Sequence, residues 1–184
     1  MDVQPIHSKE QIKDMKWALK RHCSERDYML FLIGIYTELR VSDLLQLETQ
    51  TIIELKQKKK RKEFKIKEGK TKKERMINLT SIFDEVYLYA QTIESIWLFP
   101  YRKGNKPINK IQTYRKLQKA EDFSGIEFIG THTMGKTFGY WFYKQTKDVA
   151  ILQEILNHST PQIPLTSIDI NKEEKNNILD IFHI

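Results

Sequence analysis

The sequence predicts a mainly helical domain carrying one small three-stranded antiparallel β-sheet. Apolar residues recur at three- and four-residue intervals through most of the chain, and Ser, Thr or Asn precedes several of these runs. One interval, residues 51–79, breaks that rhythm with β-branched clusters and alternating apolar and charged residues. The chain holds only 7 Gly and 5 Pro, which leaves little room for long loops. At 184 residues it fits one domain spanning 1–184. A domain of that size hides roughly 70% of the surface its unfolded chain exposes, enough for a real core.

The elements follow in order. Ser8 and Gln11 have capping-box spacing ahead of Ile12, Met15 and Leu19, with Trp17 off that stripe. Ser24 caps a dense apolar helix over 25–37, and 41–45 forms a short helical piece. Residues 51–55, 63–67 and 75–79 are expected as the three strands. Phe64 and Ile66 alternate with Lys65 and Lys67, and Gly69 sits at the turn. Helices return over 81–92 behind Thr80, and from Asn109 to about Phe123, with Ile111, Tyr114 and Leu117 in line. Thr131 is placed to cap 132–145. Asp148 opens a helix with Val149, Leu152, Ile155 and Leu156 on one side, and Thr160–Pro161 opens another. An amphipathic segment, 172–182, closes the chain.

Composition narrows the function. A 40% hydrophobic and 30% charged chain is globular rather than disordered. The longest apolar stretch, Tyr28 to Tyr36, is far too short for a bilayer, and the N-terminus lacks a secretory pattern. The single cysteine, Cys23, excludes an internal disulfide and a cysteine metal cage. These features point to the cytoplasm, with no membrane partner and no metal or other cofactor. The net charge of +7 and pI near 9.3 favour an anionic partner, nucleic acid above all. Much of the excess lies in Lys56 to Lys62 and Lys65 to Arg75. The aromatic set Phe138, Tyr140, Trp141, Phe142 and Tyr143 has the spacing of helix core rather than of a base-stacking platform.

Four stretches carry a resemblance. They are TELRVSDLLQL (37–47), EGKTKKERMINL (68–79), THTMGKTFGYWFYKQT (131–146) and ILNHSTPQIPLTSIDI (155–170). In this order and spacing the chain resembles the catalytic domain of the tyrosine recombinases, the phage integrase family. The resemblance implies that Arg40 is the first catalytic arginine and Lys70 the mobile hairpin lysine. It makes His132 the head of the His-x-x-Arg box and His158 the second histidine. It also implies double-stranded DNA as partner, with Lys70, Lys72, Lys73 and Arg75 on its face. Family chemistry is attack of a tyrosine oxygen on a phosphodiester. Arginine forks hold the non-bridging oxygens, a lysine protonates the leaving oxygen, and histidines handle protons.

Two of the required groups are missing. Gly135 stands at the box arginine, and Ser167 at the nucleophilic tyrosine. No arginine follows Arg115 and no tyrosine follows Tyr143, so sliding the alignment restores neither. Lys136 lies one helical step, about 100°, from Gly135 and points elsewhere. A serine hydroxyl is far less acidic than a phenol of pKa about 10 and needs a dedicated base. Pro164 interrupts what should be the nucleophile's helix. The expectation is a vestigial phosphate pocket of Arg40, Lys70, His132 and His158 in a DNA-binding, non-cutting protein of prophage or mobile-element type. The N-terminal core-binding domain of full-length members is expected to be absent. Three rivals stand beside this reading. One is an active recombinase with a displaced or partner-supplied nucleophile, in which 172–184 docks on a neighbouring copy or another recombinase. The second is a protein–protein modulator of another recombinase. The third is a decayed remnant without function.

Overall fold

The computed structural model describes residues 3–157 except 71, 104 and 128, together with the side chains of all but 156 and 157 among them. The expected helices 160 onward and 172–182 lie outside the described residues. Eight α-helices and a two-stranded sheet are present among the described residues. They are α1 (Lys9–His22), α2 (Glu25–Thr37), α3 (Val41–Leu44), α4 (Thr49–Glu54), α5 (Phe83–Gln91), α6 (Lys110–Ser124), α7 (Thr133–Thr146) and α8 (Val149–Asn157). The strands are β1 (Glu63–Lys67) and β2 (Glu74–Asn78), paired antiparallel with Phe64 opposite Ile77 and Ile66 opposite Arg75.

Helix α2 is the axis of the core. Its residues from Tyr28 to Ile35 are buried on every side, so it has little amphipathic character. Ser24 caps it by accepting the Asp27 N–H, and it ends with Glu38 in the left-handed region at φ 54°. Helices α1, α5, α6 and α7 pack around it. Ser8 caps α1 by accepting the N–H groups of Glu10 and Gln11, Met15 and Leu19 face the core, and Trp17 is exposed. The segment before α1 is tied to α7: the Ile6 N–H donates to Thr137 Oγ1 at 3.0 Å, and the Trp141 Nε1–H donates to the Ile6 carbonyl at 2.9 Å. Tyr140 and Tyr143 are buried and Phe138, Trp141 and Phe142 half-buried, in keeping with helix core.

Four local expectations are corrected. The sheet has two strands rather than three, because the segment expected as a first strand folds as α4. Its β-branched Thr51, Ile52 and Ile53 favour a strand. Thr49, Ile52 and Leu55, however, share one face and are buried at helical spacing against α5. In α6, capped by a reciprocal Asn109–Gln112 box, Thr113, Leu117 and Ala120 are the buried residues while Ile111 and Tyr114 are exposed. Thr80 opens a single 3₁₀ turn before α5, and its Oγ1 accepts the Lys62 N–H instead of capping the helix. Thr131 does not cap α7; His132 occupies the cap position without a side-chain bond, and Thr133 Oγ1 accepts the Gly130 N–H.

Helices α2 and α7 make close contact where Gly34 meets Met134. A Cβ on Gly34 would collide with Met134 Sδ and lie 3.2 Å from its Cβ, and Met134 is fully buried. Overpacking there costs about 1–3 kcal/mol, against about 1 kcal/mol gained by alanine over glycine in a helix. Gly34→Ala is therefore expected to lower stability by about 1 kcal/mol in urea denaturation. A stabilised variant would contradict this packing.

Candidate nucleic-acid phosphate site

The site begins at a corner of the chain. Helix α2 must end before α3 can start, and Glu38 makes the reversal by taking a left-handed conformation unusual for a non-glycine residue. Arg40 then sits at the head of α3 with extended geometry (φ −60°, ψ 143°), its carbonyl accepting the N–H groups of Asp43 and Leu44. The Arg40 side chain rises from this corner toward the β1–β2 hairpin and is 19% exposed.

Buried charges fasten the hairpin to the corner. Arg75, on β2, donates from Nη2 to the Thr37 carbonyl and to Glu38 Oε2, both at 2.9 Å. Its Nη1 lies 3.5 Å from Glu68 Oε1. Glu68, just past β1 and only 1% exposed, accepts from Arg40 Nη1 through Oε2 at 3.0 Å. Beside them Asp43 Oδ1 accepts the Gly69 N–H at 2.9 Å, tying the turn to α3. The result is a chain of alternating charge, Glu38–Arg75–Glu68–Arg40. Ion pairs this deep add little net stability over an apolar core, but removing one partner costs about 3–5 kcal/mol because the other charge is stranded.

Arg40 is not saturated by these contacts. Its Nη2 is buried and has no hydrogen-bond partner among the described residues. A guanidinium nitrogen buried without an acceptor is costly unless something else supplies one. Above it the turn carries Lys70, Lys72 and Lys73, all exposed, with Lys72 at φ 59°. The hairpin's outer face also carries the exposed pair Lys65–Glu74 at 3.4 Å. The preceding basic run 56–61 is exposed, and Lys62 Nζ folds back onto the carbonyls of Leu55, Lys56 and Lys58.

The remaining expected residues approach from α7. His132 is exposed at its N-terminus, where the helix dipole favours an anion. Gly135 faces the corner: a Cβ built on it would lie 3.6 Å from Glu38 Cγ, an ordinary contact. The first turn of α7 thus abuts the residue two positions before Arg40. His158 and Ser167 lie outside the described residues.

One expected contact residue is placed differently from the rest. Arg75 is buried and committed to Glu38, Glu68 and Thr37, so it is not on the outer face of the hairpin with Lys72 and Lys73. The signal was in the sequence. On a strand, Arg75 shares a face with Ile77, and the register sets it opposite Ile66. The sequence reading also passed over Glu38, Asp43 and Glu68. Glu68 continues the inward row of Phe64 and Ile66, which marks a carboxylate needing a buried cation. Among the described residues no group of three or more His, Cys, Asp or Glu is placed to hold a metal ion. No helix among them is long and apolar enough to cross a membrane.

Comparison with known proteins agrees with this architecture. The model of the phage integrase family matches residues 7–167. A probable integrase/recombinase, YoeC of Bacillus subtilis (strain 168), is 43% identical over 173 residues, covering 93% of this chain and 92% of that protein. Among solved structures, XerA recombinase superposes with a TM-score of 0.75 at 15% identity, covering 99% of this chain and 67% of its own. XerH bound to a palindromic difH substrate gives 0.68 at 20% identity over 98% of this chain. The chain spans about half (54%) of that XerH chain. The catalytic domain of bacteriophage HP1 integrase gives 0.59 at 17% identity, covering 97% of this chain and 95% of its own. With a family model over nearly its whole length and so similar a relative, the chain belongs to the phage integrase family.

Proposed function

We propose that this protein binds double-stranded DNA through backbone phosphates and does not cut it. The observation that carries the reading is Arg40: one guanidinium nitrogen is held by Glu68 while the other is buried without an acceptor among the described residues, beside an exposed lysine hairpin. A non-bridging phosphate oxygen is the acceptor that such a fork suits. Lys70, Lys72 and Lys73 supply further phosphate contacts, and His132 with the N-terminus of α7 a site for an adjacent one. His158 belongs to the same set by its position in the sequence. DNA as the ligand is supported by family membership and by XerH, whose structure is of a complex with its difH substrate.

The case against cleavage rests on chemistry. A pentacovalent phosphorane-like transition state gathers charge on the equatorial oxygens, and removing one donor typically slows such reactions about 100- to 1000-fold. Gly135 brings no donor from the box position, and Ser167 brings no phenol. What is left is a protein that occupies a recombination site or an operator of a prophage or mobile element, as a regulator or an accessory of recombination. Contacts to itself or to another recombinase through 172–184 belong to the same proposal.

Four phosphate contacts, from Arg40, Lys70, Lys72 and Lys73, give a log–log salt slope of about −3.6 and a loss of roughly 100-fold in affinity between 50 and 200 mM salt. Mobility shifts on duplex DNA should read that slope, and Arg40→Ala should make it shallower by about 0.9. No retarded band at low salt would end the binding claim. Incubation with a nicked suicide duplex should leave no protein-linked DNA on a denaturing gel; an adduct would restore the enzyme reading. Gly135→Arg, for which the corner has room at Cβ, should steepen the slope by about 0.9. An unchanged slope would mean that α7 does not face the phosphate.

A further inference from the structure

We propose that Glu68 is a built-in counter-anion of the phosphate site: it holds Arg40 in position while the site is empty and, by its charge, keeps the site's grip on phosphate weak. The proposal rests on the phosphate-binding reading above and names what sets its strength.

The charges around Arg40 nearly cancel. Arg75 has a carboxylate of its own in Glu38, bonded to Nη2 at 2.9 Å. Of its contacts to the two arginines, Glu68 makes the shorter to Arg40, at 3.0 Å, and the longer to Arg75, at 3.5 Å. Between these two cations its charge lies closer to Arg40. Two arginines face two glutamates, and Asp43 adds another carboxylate nearby, engaged with the Gly69 N–H. The net positive charge at the site resides on exposed Lys70, Lys72 and Lys73, where water screens it.

Stability does not account for this carboxylate. A buried pair of this kind is often no better than apolar side chains of the same volume. Its geometry suits a different role. By engaging Nη1 and not Nη2, Glu68 fixes the plane of the guanidinium and leaves Nη2, though buried, as the prong without an acceptor among the described residues. Two N–H donors on one rigid fork remain directed while the site waits, so little ordering remains on binding. The cost falls on affinity. A phosphate oxygen on Nη2 would lie roughly 5 Å from the Glu68 carboxylate, and a like charge at that range in a partly exposed site weakens binding about tenfold or more.

An anchor role for Glu68 and a counter-anion role predict opposite signs. If Glu68 only anchors the hairpin, neutralising it loosens Lys70 and Arg40, and binding weakens. If it is the counter-anion, Glu68→Gln keeps an acceptor for Arg40 Nη1, removes the charge, and strengthens binding.

The test uses the full chain with two probes at constant ionic strength. One is a short duplex, followed by fluorescence anisotropy. The other is inorganic phosphate, followed through the Arg40 side-chain ¹⁵N resonances. Glu68→Gln should bind both about tenfold more tightly than the unaltered protein. Equal or weaker binding of phosphate by the folded variant overturns the proposal. Should the unaltered protein fail to bind DNA while Glu68→Gln still binds phosphate more tightly, the DNA reading falls and this one stands. If Glu68→Gln does not fold, the unaltered protein decides. Saturating phosphate should shift the Glu68 carboxyl ¹³C resonance together with Arg40, and a Glu68 signal that stays still overturns the proposal.

Discussion

The buried charge chain from Glu38 through Arg75 and Glu68 to Arg40 is the constraint on which the rest of the site depends. It joins three pieces of backbone: the end of α2, the head of α3 and the β1–β2 hairpin. A two-stranded hairpin is marginal by itself in water. Here Arg75 reaches down to the Thr37 carbonyl and Glu38, and Glu68 reaches across to Arg40. The position of Lys70 relative to Arg40 follows from those bonds and from the Asp43–Gly69 contact. The strained backbone at Glu38 belongs to the same arrangement. Its left-handed turn costs of order 1 kcal/mol for a residue with a Cβ, and it brings the carboxylate to Arg75.

The fold supports this corner from behind. Helix α2 is buried from Asp27 to Ile35 and again at Thr37, so its C-terminal end is anchored in the core. Helix α7 lies against α2 through the Gly34–Met134 contact, which brings Gly135 beside Glu38 and leaves His132 at the exposed end. The site is therefore assembled on secondary-structure elements, with the lysine turn and His132 exposed to solvent. That arrangement suits a ligand with a repeating anionic backbone better than a small enclosed substrate.

Much of this was legible in the sequence where one residue type has one physical use. Ser8, Ser24 and Asn109 cap the helices they precede, and the hydrophobic run of α2 marks the core. The motif around Arg40 was readable because it is short, local and matched by three others in order. Tertiary override explains the misses. Thr51, Ile52 and Ile53 look like a strand until burial against α5 makes helical spacing count for more than β propensity. Arg75 looks like one more cation of a basic hairpin until strand alternation turns it inward. Strand alternation marks Glu68 as inward-facing, but the partners of Glu38 and Glu68 are distant in sequence, 37 and 28 residues away, so the pairing itself was not legible. Composition reports charge but not pairing, and in this protein pairing determines which cations stay exposed.

The proposed role requires a guanidinium that takes a phosphate oxygen and no side chain that attacks the phosphorus. A crystal structure of the chain on a duplex tests both halves at once. It should place a non-bridging phosphate oxygen within hydrogen-bond distance of Arg40 Nη2, with the phosphodiester intact. A phosphate bonded covalently to a side-chain oxygen, or a duplex seated on another face of the protein, would contradict it.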